Sequence, residues 1–497
     1  MDRRSFLKAA ASLVVSSPSI GTLGKPRGVL VNDLHSQLNL TRVDSVERPV
    51  SLASLRETME RARRSRKSIS VSGGRHAMGS QQFGTSSVLL DMRGMNRVLA
   101  FDPESGIVEV EAGIEWPDLV WNLISSQEGR ERQWGIAQKQ TGADRLTLGG
   151  ALAANAHGRG LKMRPIVGDV DSFALLDASG EIRRCSRSES SELFRLAIGG
   201  YGLFGIVTSI RLRLAPRRKL ERIVELLDLA DLPPAFEKRI ADGFLYGDFQ
   251  FSIDERSEDF LRKGIFSCYR PVSPNTPIPA GQRELSEGDW SALLSLAHFD
   301  KTHAFEKYAR HYLASSGQIY WSDTHQLSTY LDDYHRALDR RLGAMNRATE
   351  MITEIYVPRE RLVDFLEEVR GDFRRNGVNL IYGTIRLIEK DGESFLAWAR
   401  QPYACTIFNL HIEHTPVGKA RAADTFRRLI DMAIRREGSY YLTYHKWATR
   451  RQVEACYPRF ADFLRRKQHR DPEDRFQSDW YRHYRTMFAD ALKPRAA

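Results

Sequence analysis

Ten residues, Val71-Ser72-Gly73-Gly74-Arg75-His76-Ala77-Met78-Gly79-Ser80, constrain this chain more than any other stretch. They follow Lys67-Ser68-Ile69-Ser70, which reads as the start of a buried strand. Glycines at 73, 74 and 79 permit positive φ and let bare N–H groups approach a ligand. Successive N–H groups in such a turn form an anion-binding concavity. The stretch therefore reads as a diphosphate cradle, with His76 placed to touch whatever the cradle holds. The competing reading is a glycine-rich hairpin turn with a surface histidine.

A second stretch, residues 140–160, is dominated by small residues: Gly142, Gly149, Gly150, Ala151, Ala153, Ala154, Ala156 and Gly158, with Asn155 and His157 among them. A helix of Gly and Ala lets a flat ring or a long diphosphate reach its backbone. Close helix–helix packing is the alternative. Residues 200–205 spell G-x-G-x-x-G, but residues 190–197 before them look helical and 206–214 after them look like a strand. A dinucleotide fingerprint needs the reverse order, so NAD binding by this route is rejected. No G-x-x-x-x-G-K-[ST] occurs.

Around these landmarks the elements are short. Residues 51–66 form an amphipathic helix, and 88–92 a strand. Residues 98–101 and 107–112 flank a Pro/Gly turn, and 116–126 are helical. No regular βαβ repeat appears, which argues for α+β. With 497 residues the chain accommodates two or more domains. The formal net charge is +11, yet no interleaved basic and aromatic run appears, so nucleic-acid binding is not expected. Cys185, Cys268, Cys405 and Cys456 form no C-x-x-C pair, which removes zinc ribbons and dithiol redox motifs; a disulfide stays open. At the N-terminus, Arg3-Arg4-Ser5-Phe6-Leu7-Lys8 precedes a short apolar run. This reads as a Tat export signal over residues 1–30, with the Tat translocase as partner and an extracytoplasmic destination; a disordered basic tail is the alternative.

Residues 217–440 read as a second domain, with helices over 290–313 and 328–341. A strand begins at 354, and 360–376 form an amphipathic helix. Alternation in 381–388 puts Tyr382, Thr384 and Arg386 on one face; in 405–414 it puts Asn409, His411 and Glu413 on one face. Such strands suit the walls of a pocket, although solvent is nearly as good a neighbour. His411 and His414 fall on opposite faces, so no metal is expected.

Three stretches in order carry a family resemblance: residues 73–77, residues 148–158, and Gly199-Gly200-Tyr201-Gly202-Leu203-Phe204-Gly205-Ile206-Val207. The sequence resembles the vanillyl-alcohol-oxidase type of FAD-linked oxidoreductase, closest to its aldonolactone and alditol oxidase branch. The resemblance implies a two-domain PCMH-type fold: an FAD-binding domain over 40–216, a mixed-sheet substrate or cap domain over 217–440, and a segment 441–497 returning to the first domain. It implies FAD held by Gly73, Gly74, Arg75, His76, Ala77, Met78, Gly79, Ser80, Gly142, Gly149, Gly150, Asn155, His157, Gly158, Gly205, Ile206 and Val207. It also implies a covalent bond from His76 to the flavin, although Ala77 stands where many members have Ser. No cysteine lies near 130–142 for a second flavin link. Arg386 falls in the branch's Glu-x-Arg motif, with Thr384 replacing the Glu and Glu413 as a substitute carboxylate. Near the C-terminus, Tyr444, His445 and Lys446 are the candidate bases. The implied reaction is hydride transfer from a CH–OH group of a sugar lactone, alditol or related alcohol to the flavin. O2 or a redox protein would be the acceptor. An epimerase half-reaction or C=C reductase of the same fold is the alternative. A non-catalytic exported protein that binds anionic polymers is the third reading.

Overall fold

A computed structural model describes residues 28–493 except 329, 330 and 332. The twin-arginine stretch lies outside the described residues.

The N-terminal region mixes short helices with two main sheets. A parallel three-stranded sheet has the order Ser45–Glu47, Val88–Asp91, Ile69–Ser72. An antiparallel five-stranded sheet has the order Ile182–Ser186, Val170–Leu176, Ile206–Arg213, Ile107–Glu111, Val98–Asp102. The cradle loop leaves the end of Ile69–Ser72, at the edge of the parallel sheet.

The second region is built on one eight-stranded sheet. Its order is Ile319–Trp321, Lys219–Asp228, Lys263–Pro271, Tyr246–Phe251, Leu380–Ile388, Tyr403–Glu413, Ala348–Pro358, Ser439–Tyr440. Each of its pairings is antiparallel. The sheet is thus not the mixed one expected; parallel strand pairing lies in the N-terminal region. Helices Leu362–Asn376 and Pro416–Ile434 cover its back. The first buries Leu362, Phe365, Leu366, Val369 and Phe373 on one stripe and stops at Gly377, whose φ of 58° is the left-handed cap that glycine tolerates. The second starts at Thr415, whose hydroxyl accepts from Gly418 N at 2.9 Å, with Pro416 in the first turn. Phe408 is fully buried on the back face between Phe373 and Phe251. Burial of such a ring contributes about 1.5–3 kcal/mol. With its back sealed by helices, the sheet turns its polar front toward the N-terminal region.

Two helix expectations change. Residues 290–313 are two helices, Glu287–Phe299 and Lys301–Ala314, because Asp300 leaves helical geometry (φ −152°) and its carboxylate accepts from His303 N to cap the second. In 328–341 the helix is confined to His335–Leu342.

The C-terminal segment stitches the cradle in place. Met78 N donates to Thr443 O at 3.1 Å, and the Gln81 amide donates to Leu442 O at 2.6 Å. Ile69 N donates to Arg475 O, and Gln477 N donates back to Ile69 O. The cysteines are free and buried. Among the described residues no helix is long and apolar enough to cross a membrane.

Candidate active site

The cradle and the small-residue segment meet face to face. A Cβ on Gly73 would stand 2.0 Å from Thr147 Oγ1, and one on Gly74 would stand 2.3 Å from Arg145 O. Thr147 is itself the N-cap of helix Leu148–Ala154, accepting from Gly150 N at 3.2 Å. Gly149 is equally confined, with its N–H on Ala112 O at 2.7 Å. The glycines serve close approach rather than unusual torsions. Positive φ in the loop belongs to Arg75 (61°) and Ser80 (66°), not to residues 73, 74 or 79.

These two segments and the front of the eight-stranded sheet enclose a cavity of about 1050 Å³. That is the upper end of small-molecule sites, which run roughly 300–1,000 Å³. His76 lies on its wall. Its Nε2 hydrogen-bonds Arg145 O at 3.0 Å, so Nε2 carries the proton and Nδ1 accepts from His35 Nε2 at 2.8 Å. Burial lowers its pKa to about 4, which keeps the ring neutral.

Residues 43–186 match the family described as the FAD binding domain. The chain carries a PCMH-type FAD-binding domain. The chain is 32% identical to bovine L-gulonolactone oxidase over 190 residues, 37% of this chain and 41% of that protein. It thus matches about two fifths of that relative's length. It is 23% identical to L-gulono-1,4-lactone dehydrogenase of Mycobacterium tuberculosis over 444 residues, 88% of this chain and 95% of that one. It is 25% identical to rice cytokinin dehydrogenase 4 over 351 residues, 66% of this chain and 64% of the relative.

The residues of the FAD-binding domain fit FAD. Backbone too tight for any side chain lines the cavity at Gly73, Gly74 and Gly149. A buried guanidinium nitrogen on its wall, Arg75 Nε, makes no hydrogen bond. Buried donors of this kind call for an acceptor. Of the expected FAD contacts, residues 73–78, Gly142, Gly149, Gly150, His157, Gly205 and Val207 line the cavity.

Five expected contacts do not line it. Gly79 and Ser80 turn behind the loop, where Ser80 Oγ donates to Asn39 Oδ1 at 2.6 Å. Asn155 is a left-handed helix cap (φ 50°) whose amide donates to Asp391 Oδ2 at 2.8 Å. Gly158 packs on Lys139 O, 2.7 Å from where its Cβ would be. Ile206 points the other way along its strand, into a core with Leu55, Met59, Leu176 and Phe476.

The catalytic candidates divide similarly. Arg386 and Tyr444 line the cavity. Glu413 is exposed at the far end of its strand. His445 is fully buried among Phe426, Tyr440 and Trp447. Lys446 points to a separate cleft beside Asp479, Arg482 and His483. Glu413, His445 and Lys446 are therefore corrected: none reaches the cavity.

Sequence reasoning missed a carboxylate that does reach it. Glu354 lies on strand Ala348–Pro358 in register with Ile407, and Ile407 is in register with Thr384. Glu354 thus stands level with Thr384, two strands away, where the resemblance places a glutamate. Tyr444 Oη donates to Glu354 Oε1 at 2.8 Å, and Tyr356 Oη to Oε2 at 2.7 Å. His157 Nε2 lies 2.9 Å from Oε2, while its Nδ1 contacts Gly158 O at 3.0 Å. The carbonyl only accepts, so Nδ1 donates to it. Burial opposes ionisation of Glu354, but His157, followed by the hydrogen bonds from His157, Tyr356 and Tyr444, outweighs it and lowers the pKa. Tyr444 goes up, by burial and then by the Glu354 charge, and stays a neutral donor. A signal existed: Glu350 and Glu354 are the charged residues of the strand and share one face of it.

Two outcomes follow. Gly74→Ala drives a methyl against the Arg145 carbonyl and separates the cradle from helix Leu148–Ala154; flavin absorbance per protein should fall severalfold, while far-UV circular dichroism is retained. His445 is held at a pKa of about 3, first by burial and then by Arg427. Between pH 6.5 and 3 the unfolded chain binds a proton that the folded chain refuses, so stability falls with acid by up to about 1.4 kcal/mol per pH unit. In His445→Phe, denaturant midpoints should decline less steeply over that window.

Proposed function

We propose that this protein is an FAD-dependent oxidoreductase acting on the CH–OH group of a sugar lactone, alditol or related alcohol. The carrying observation is that one cavity joins the FAD cradle to a buried Glu354–Tyr444–His157 cluster and to Arg386. The names of the bovine and mycobacterial relatives support a lactone as the substrate class.

When bound, FAD supplies the two-electron acceptor for the substrate hydride. The chain's own residues handle the proton. Tyr444 sits on the cavity wall with its hydroxyl on Glu354. A substrate hydroxyl proton passes to Tyr444 as Tyr444 gives its own to Glu354 Oε1, so Tyr444 ends neutral and the Glu354 carboxylate is neutralised by the proton it takes up. Arg386, buried with its Nε unpaired, binds the substrate oxygen. Tyr382, Ile407 and Asn409 form the cavity wall beside it. A lysine beside a tyrosine near the C-terminus is compatible with the reductase or epimerase alternative, but Lys446 lies outside the cavity, so the oxidative reading stands first.

Three finer points belong to the same proposal. His76 is the covalent flavin attachment, supported by its place on the wall beside the cradle. The twin-arginine N-terminus sends the folded, loaded protein out of the cytoplasm through the Tat translocase, to a periplasmic or other extracytoplasmic site. The electron acceptor is O2 or a redox protein.

Glu354→Gln should retain flavin and lower the rate of anaerobic flavin reduction by an aldonolactone by about 10²–10⁴-fold. An unchanged rate removes Glu354 from the reaction. After acid precipitation, flavin should stay in the wild-type pellet and move to the supernatant in His76→Ala; wild-type colour in the supernatant removes the covalent bond.

A further inference from the structure

A second polar cluster lies on the same strand, two pleat repeats away from Glu354. Strand register sets Glu350 directly opposite His411. Helix Glu287–Phe299 brings His298 in from its last turn. His298 Nε2 and His411 Nδ1 each lie 3.2 Å from Glu350 Oε1. The ligand atoms of the three residues lie within 4.8 Å of one another. All three side chains are largely buried. On the other carboxylate oxygen, Oε2, His335 Nε2 stands at 2.5 Å and the Tyr334 hydroxyl donates.

We propose that His298, Glu350 and His411 form a divalent metal site of the zinc type. Three observations carry it. The spacing is right: metal–ligand bonds of 2.0–2.2 Å in a tetrahedron put ligand atoms about 3.3–3.6 Å apart. The cluster is only partly hydrogen-bonded: His411 Nδ1 bonds Glu350 Oε1 and Tyr334 donates to Oε2, but buried His298 Nε2 and both His335 ring nitrogens make no hydrogen bond despite their closeness to the carboxylate. The nearby His157–Glu354–Cys405 group is the contrast, because its imidazole and carboxylate are tied by well-directed bonds from His157, Tyr356 and Tyr444. The donor set of two imidazoles and one carboxylate is chemically suited to zinc and its neighbours.

Three protein ligands leave one position open, the arrangement of sites that bind a reactant. Of the three ligands Glu350 lines the cavity, flanked there by His335 and Asn409, and through it the proposed open position meets the space that also holds Glu354. The ligand it takes is a hydroxyl or carboxylate oxygen of the cavity's occupant. That last assignment rests on the oxidoreductase reading; the metal site does not. Spacing along the chain could not show the cluster, because His298, Glu350 and His411 come from three separate elements. The pair that sequence does suggest is split: His414 Nε2 is bonded to Thr349 Oγ1 at 2.9 Å.

The test is a Co2+ titration of the flavin-loaded protein after chelator treatment, followed by visible d–d absorption. Saturation at one Co2+ per chain, displaced by Zn2+, is expected. His298→Gln and His411→Gln should each weaken Co2+ binding by roughly tenfold or more, whereas His414→Gln should leave it unchanged. Flavin content of every sample reports whether the variant is folded. No saturable uptake by the wild type overturns the proposal without recourse to any variant; so does wild-type affinity in His298→Gln that retains flavin. Flavin without metal overturns this site alone, and metal without flavin overturns the oxidoreductase reading alone.

Discussion

The architecture depends on a close approach of glycine backbone that leaves no room for a side chain at Gly73 or Gly74. Gly73 and Gly74 press against Thr147 and Arg145, and Thr147 holds the start of helix Leu148–Ala154. Cradle and helix therefore form one glycine-lined wall. The C-terminal segment locks that wall from outside through Thr443, Leu442 and Arg475. A side chain at either glycine would push the two pieces apart by more than packing can absorb.

Opposite the wall stands the front of an antiparallel sheet whose back is sealed by two amphipathic helices. Pairing of Ala348–Pro358 with Tyr403–Glu413 delivers Glu350 and Glu354 to that front. Each buried carboxylate carries its own retinue: His157, Tyr356 and Tyr444 around Glu354, and His298, His335, His411 and Tyr334 around Glu350. A carboxylate in such surroundings keeps its charge only if partners replace lost water.

Much of the wall was legible in the sequence because close approach demands glycine, whatever the torsions. The left-handed turns fall elsewhere, on Arg75 and Ser80, while the crowding falls on 73, 74 and 79. Alternation placed Tyr382, Arg386 and Asn409 on the cavity because a two-residue period is local. Glu354 escaped because its position beside Ile407 is set by a partner strand more than fifty residues away. Tyr444, His445 and Lys446 were indistinguishable by type, yet consecutive residues of an irregular segment point three ways: into the cavity, into an aromatic core and into an outer cleft.

The central claim is that FAD lies along residues 73–76 and 147–150. The most direct measurement is an electron-density map of the purified protein calculated with the cofactor omitted. The account predicts continuous density for one dinucleotide in the 1050 Å³ cavity, with its diphosphate against Gly73 and Gly74. A cavity without such density, in protein supplied with excess FAD, would contradict it.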